Sequence, residues 1–218
     1  GDGYKFAEIL GHKITSLAPS LNSFTIGESW PKELSGVSFE KVALKLVASE
    51  KYEFKGPILF THKGITGPAI FAISSLSAFE NISRPKPAKL FIDFLPETNY
   101  ETLTAQIQRN LKENHKKLFT NTLGIFAPKS FIKTILQNLN INEEKKNHEI
   151  SKKDLNRAIE LLKNAQVTLI GQSAGDEFVT AGGIDLTEVD SKTMQSKICP
   201  GLYFAGEILN IDGFTGGF

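Results

Sequence analysis

Between residues 99 and 164 the chain changes its periodicity, and this change restricts the folds open to it. Leu103, Ile107 and Leu111 recur four apart. Phe131, Ile132, Ile135, Leu136 and Leu139 form a second one-sided stripe, and Leu155, Ile159 and Leu162 a third. Apolar residues at that spacing line one face of a helix. The spacing predicts helices over 100–111, 129–139 and 152–164, with helical turns in 116–124. Ser151 is placed to cap the last helix, with Asp154 in its first turn. On either side the period is two. Val42, Leu44 and Leu46 alternate with Lys41, Ala43 and Lys45, and Leu90, Ile92 and Phe94 alternate with Phe91, Asp93 and Leu95. Strand composition returns at 166–170. A chain that runs strands, helices, strands is α+β: a β-rich domain, barrel- or sandwich-like, interrupted by a small helical insertion. The stripes are read as packing within that insert, and Lys145-Lys146 and Lys152-Lys153 as a solvated face.

The remaining segments follow from local chemistry. Residues 5–10 have helical spacing, with Asp2 as cap and Gly11 as stop. Residues 13–26 have strand composition broken by Pro19. Residues 27–31 read as a turn with an exposed Trp30, and 37–46 as a strand. Residues 50–55 read as a polar hairpin loop, and 56–60 as a further strand. A turn with two glycines follows, then a short apolar helix over 69–76, with Thr66 as cap and Pro68 at its first position. Residues 177–180 and Leu202–Ala205 read as short strands.

Bulk properties exclude several classes. A net charge of +1, with Arg84, Arg109 and Arg157 the only arginines, carries no polyelectrolyte signal. It argues against a nucleic-acid or membrane-surface partner. Cys199 is the single cysteine, which fits a reducing cytoplasm and reads as a small buried hydrophobe. His115 and His148 have no metal-like spacing, so no metal site is expected. His62 can exchange a proton near neutral pH, and Lys63 can meet an anion. Both are catalytic candidates.

Four ordered motifs add a more specific signal. They are Gly1-Asp2-Gly3-Tyr4, Phe60-Thr61-His62-Lys63-Gly64-Ile65-Thr66-Gly67-Pro68-Ala69-Ile70, Val179-Thr180-Ala181-Gly182-Gly183-Ile184-Asp185, and the closing Gly201-Leu202-Tyr203-Phe204-Ala205-Gly206-Glu207 with Asp212-Gly213 and Thr215-Gly216-Gly217. Together they resemble the HI0933-like, BaiN-type family of bacterial flavoproteins, which includes NAD(P)/FAD-dependent oxidoreductases and aminoacetone-oxidase-like enzymes. The resemblance spans nearly the whole chain. It implies FAD as cofactor, a nicotinamide (NAD(P)H as co-substrate) or oxygen as redox partner, and a pocket for a small-molecule substrate at Thr61, His62, Gly64 and Thr66. It implies cofactor contacts at Gly3, Thr180, Ala181, Gly182, Gly183, Gly206, Glu207, Asp212, Gly213, Thr215, Gly216 and Gly217. Glu207 and Asp212 would accept bonds from cofactor hydroxyls, and Thr215–Gly217 would lead into a helix whose N–H groups face the reduced ring.

Members of that family begin with a strand and a G-x-G-x-x-G turn and continue past Thr-Gly-Gly into a helix. Neither lies within this sequence. The resemblance therefore implies the middle, substrate-side portion of a longer flavin-dependent oxidoreductase, inactive and weak in flavin binding by itself. The implied division is 1–12 and 199–218 in the FAD-binding domain, 13–98 with 165–198 in the β-rich domain, and 99–164 as the helical insert. The alternative is a non-enzymatic binding or interaction module in which the glycines are structural.

Overall fold

The structure, a computed structural model, describes residues 1–172 and 179–214. Its centre is a closed antiparallel barrel built from β2 (Phe24–Ile26), β3 (Ser38–Val47), β4 (Lys51–Phe60), β5 (Gly64–Thr66), β6 (Ala88–Asp93) and β7 (Ala165–Gln172), in the order β2-β5-β4-β3-β6-β7. Period-two alternation turns Val42, Leu44, Leu46, Leu90 and Ile92 inward, where they are buried, and leaves Lys45 and Lys89 outside. Closure leaves no edge in this sheet. The fold is α+β, as the two periodicities require, and the main sheet closes as a barrel rather than stacking as a sandwich.

Several local expectations are corrected. The stretch 50–55 is not a hairpin loop, because β4 runs unbroken from Lys51 to Phe60. Tyr52 and Phe54 alternate with exposed Lys51, Glu53 and Lys55, so a half-covered strand reads as polar text. Residues 64–66, expected in a turn, form β5 and complete the barrel between β2 and β4. Pro19 does not break a strand. It lies within β1 (Ala18–Ser20), which pairs with β8 (Val179–Ala181) in a separate two-stranded ribbon. Such a ribbon has free edges, where a residue without an N–H is tolerated. Trp30 is 8% exposed rather than on the surface. It opens a 3-10 turn, Trp30–Leu34, that plugs the barrel, its ring 6.4 Å from that of Phe60.

The helices are α1 (Asp2–Ile9), α2 (Pro68–Leu76), α3 (Tyr100–Glu113), α4 (Phe119–Leu123), α5 (Lys129–Asn138) and α6 (Lys152–Asn164). Gly1, not Asp2, is the cap of α1, and Gly67, not Thr66, the cap of α2. Ser151 caps α6 as expected, its hydroxyl accepting from Asp154 N–H at 3.0 Å. The four helices from α3 to α6 do not hold a core to themselves. Phe131 of α5 stacks on Phe39 at 4.9 Å and Phe94 at 4.5 Å, and one apolar cluster runs from the barrel into the helices.

A second, smaller cluster lies apart: Ala7, Ile184, Val189, Phe204 and Leu209. Leu202–Ala205 is not a strand there; among described residues its ladder contact is the single bridge Tyr203–Gln195. Phe204 is buried in the cluster and half-buried Leu202 packs against it, while Tyr203 and Ala205 are exposed, so a four-residue apolar run lacked the paired neighbours a strand needs.

A short polar tie fastens the start of β4 to the end of α2. Tyr52 Oη donates to Glu80 at 3.0 Å, and Ser49 Oγ donates to the same carboxylate. Burial, then the Glu80 bond, pushes the Tyr52 phenol up to about 12. The Ser49 bond, first among the causes, holds Glu80 below its usual value. Each shift has a sign in stability. The tyrosine contribution is intact below about 10 and is lost as pH rises through about 12. The Glu80 contribution is present at neutral pH and is lost as pH falls through the depressed carboxyl value. Glu80→Gln is expected to bring the highest phenol midpoint down toward 10, read by ultraviolet titration.

Candidate functional site

The motif-bearing segments gather beside the small cluster rather than in the barrel interior. Ile184 bridges Ile14 on one side and Leu209 on the other. Thr15 N–H donates to Gly183 O at 2.8 Å, Ile184 N–H to Ile208 O at 2.9 Å, and Asn210 N–H to Ile184 O at 3.0 Å. So residues 13–15, 183–185 and 208–210 lie side by side. Tyr4 Oη donates to Glu207 O at 3.2 Å, and a Cβ on Gly3 would stand 2.8 Å from Ile208 Cδ1. Gly3, Gly183, Gly206 and Glu207 are thereby brought to one neighbourhood from three distant parts of the chain.

The glycines there differ in kind. Gly182 and Gly183 have φ of +89° and +151°, and added Cβ atoms would meet Ser16 O at 1.9 Å and Ile208 O at 2.5 Å. The close approach they permit is between segments of this chain. Gly206 has φ of +77° with open space where a Cβ would point. Ala205, Gly206 and Glu207 are all exposed, and the Glu207 carboxylate has no hydrogen-bond partner among the described residues.

A polar seam joins this neighbourhood to the barrel. Asp212 Oδ2 accepts from Ser20 Oγ at 2.7 Å and from Ser75 Oγ at 2.9 Å. The chain after Ser20 continues the seam: Ser23 Oγ donates to Thr66 Oγ1 at 2.7 Å, and Asn22 N–H donates to Ser74 Oγ at 3.1 Å. Thr180 sits opposite Pro19 and Ala181 opposite Ala18. Asp212, Thr66, Thr180 and Ala181 thus border one loop. Thr61 Oγ1 accepts from Gly64 N–H at 3.1 Å, which shapes the turn. His62 and Lys63 project from that turn into solvent, with no side-chain partner among the described residues. Gly213 is half-buried, next to Phe214, whose ring meets Phe54 at 5.4 Å. Thr215, Gly216 and Gly217 lie outside the described residues. Cys199 is half-buried. Among described residues no three metal-binding side chains converge, and no helix is long and apolar enough to cross a membrane.

One constellation escaped the sequence reading. His12, 3% exposed, has Nδ1 3.1 Å from Glu188 Oε2 and Nε2 2.8 Å from Ser196 Oγ. Hydroxyl, imidazole and carboxylate in that order resemble a nucleophile with its base. The serine oxygen, however, is buried and already accepts from the N–H groups of Ile198 at 3.0 Å and Cys199 at 2.7 Å. It therefore fastens the end of α1 to two loops rather than facing a substrate. The partners are 176 and 184 residues from His12, too far apart for any local pattern to reveal. Ser196→Ala removes the partner of two N–H groups and of His12 Nε2, while Nδ1 keeps Glu188. It is expected to cost about 1–3 kcal/mol, read as a lower urea midpoint.

The barrel, the helices joined to its core and the segments gathered at its rim define a recognised class. Residues 18–177 match the family described as "HI0933-like protein barrel and H2TH domain", and the chain belongs to that family. Two similar proteins carry the name ribosomal RNA dihydrouridine synthase. The Escherichia coli (strain K12) protein is 31% identical over 99% of this chain and 52% of its own length, and the Haemophilus influenzae protein 30% over 99% and 51%. A third, the 3-dehydro-bile acid delta(4,6)-reductase of Clostridium scindens, is 28% identical over 100% of this chain and 54% of its own. The chain spans about half the length of these curated relatives.

Proposed function

We propose that this chain is the substrate-side part of a flavin-dependent reductase that saturates a carbon–carbon double bond conjugated to a carbonyl, with a uracil ring in RNA as the favoured substrate. The observation that carries the reading is the exposed Ala205-Gly206-Glu207 turn, with its left-handed glycine and a carboxylate without a partner among the described residues, set beside Gly3. That arrangement fits a dinucleotide: an open turn admits it, and Glu207 accepts from a ribose-type hydroxyl. When bound, a flavin supplies the hydride.

The relatives' names support the reaction class. Making dihydrouridine adds two hydrogens across the uracil double bond next to a carbonyl. The name 3-dehydro-bile acid delta(4,6)-reductase likewise points to double bonds conjugated to a 3-ketone, the 4,5 bond directly and the 6,7 bond through it. In both, hydride goes to the carbon remote from the carbonyl and a proton to the nearer one. His62, exposed on the turn after β4 and without a side-chain partner among the described residues, is the candidate acid, and Lys63 beside it is suited to an anionic substrate. Thr61 holds that turn in shape through its bond to Gly64. A nicotinamide is the proposed electron donor.

The test uses the full-length gene product. It is expected to release a flavin on denaturation and, with NAD(P)H, to add two hydrogens to a uridine in ribosomal RNA, seen by mass spectrometry of the nucleosides. A colourless protein that releases no flavin would overturn the reading in favour of a non-enzymatic module. Reduction of a small enone with RNA untouched would reassign the substrate.

A further inference from the structure

The whole-chain charge of +1 conceals an uneven distribution. Residues 99–164 hold 12 Lys and Arg against 7 Asp and Glu, a net +5, while the rest of the chain holds 13 against 17, a net −4. Folding concentrates the excess. Leu118 bridges Lys146, Asn147 N–H donates to Lys117 O at 2.9 Å, and Phe119 N–H donates to Lys145 O at 2.9 Å. His148 Nδ1 donates to His115 O at 2.9 Å. Residues 115–119 and 145–148 therefore run side by side. The 3-10 turn Asn147–Glu149 then leads into α6, whose first residues are Lys152 and Lys153.

Lys116, Lys117, Lys146, Lys152 and Lys153 are all exposed, and none pairs with a carboxylate among the described residues. The nearby acids are mostly engaged elsewhere. Glu149 accepts from Lys146 N–H, Asp154 faces Lys145 and Arg157, Glu143 faces Lys133, and Glu113 faces Arg109. Glu144 is the exposed acid left over. Among the described residues of 115–119 and 145–153, Leu118 at 37% is the one large apolar side chain classed as exposed, so the face offers little to insert into lipid.

We propose that this lysine face is an RNA-docking surface that contacts the phosphate backbone and holds the substrate on the enzyme. The proposal rests on the reading that the substrate is a uridine in RNA. Lysines are mobile point charges, suited to neutralising phosphates rather than reading bases. Recognition here is therefore of backbone and shape, and the choice of uridine is left to the catalytic side. Hydrophobicity plays no part in it, and salt weakens it.

The experiment measures binding of the full-length protein to a fluorescent ribosomal RNA hairpin, by anisotropy across a salt series. One variant changes Lys116, Lys117, Lys146, Lys152 and Lys153 to Gln. A second changes Lys45, Lys51, Lys55 and Lys89, on the outside of the barrel, to Gln. The first is expected to bind about tenfold or more weaker, with a salt slope shallower by about four, and the second to stay within about twofold of wild type. Equal losses in both variants, no binding by the wild type, or displacement of RNA by anionic phospholipid vesicles would each overturn the proposal. Nucleoside analysis of the same samples keeps the two readings separate. RNA bound through this face but never reduced would support docking and sink the proposed substrate. RNA reduced equally well by the wild type and the first variant would sink docking and leave the substrate standing.

Discussion

Gly182→Ala is expected to destabilise the protein by about 3–5 kcal/mol, the sum of two penalties of different origin. The residue holds φ of +89°, a region where a Cβ is strained. Its Cβ would also stand 1.9 Å from Ser16 O, which is backbone and cannot swing aside. Gly36→Ala separates the two. Gly36 has nearly the same φ, +86°, but nothing lies within 4 Å of its Cβ position. It should lose only about 1–2 kcal/mol. Urea unfolding of both variants checks this, and equal losses would mean that the approach of residue 182 to Ser16 does not matter. The consequence reaches the site, because the segment after Gly182 carries Ile184, which bridges residues 14 and 209.

Phe131→Ala is the second large effect, expected at about 3–5 kcal/mol. The side chain is fully buried, and its ring touches Phe39 and Phe94, one on each of two barrel-side segments. Its loss opens a cavity where α5 meets the barrel, and three aromatic contacts at that joint become one, Phe39 on Phe94. Phe131→Leu, which refills most of the space, should recover much of the loss. Were the helices an independently packed unit, unfolding of the variant would split into two transitions. The shared core predicts a single shifted one.

The elements legible in the sequence are those whose cause is local. Ser151 with Asp154 marks the start of α6, and the stripe Leu155, Ile159, Leu162 marks its buried face. Val42, Leu44 and Leu46 mark the inner face of β3. The wording of the four motifs carries the family. The candidate site was legible as a set of residues and not as a place: Gly3, Gly183 and Glu207 are far apart in the chain, and only the interleaving of residues 13–15, 183–185 and 208–210 brings them together.

What tertiary structure alone decided has the common feature of distance along the chain. Trp30 is buried because a barrel end needs a plug. Lys51–Lys55 is strand because β3 lies beside it, although its own text is polar. Pro19 sits in a strand because β1 pairs in a ribbon with free edges. His12 acquires Glu188 and Ser196 from the far side of the chain, and Asp212 acquires Ser20 and Ser75. The lysines at 116–117, 146 and 152–153 become one face only when two loops are laid side by side. Period, cap and turn residues act within a few positions and so are written into the sequence directly. Burial, closure and convergence of charge depend on which distant segments the barrel brings into contact, and no local pattern records them.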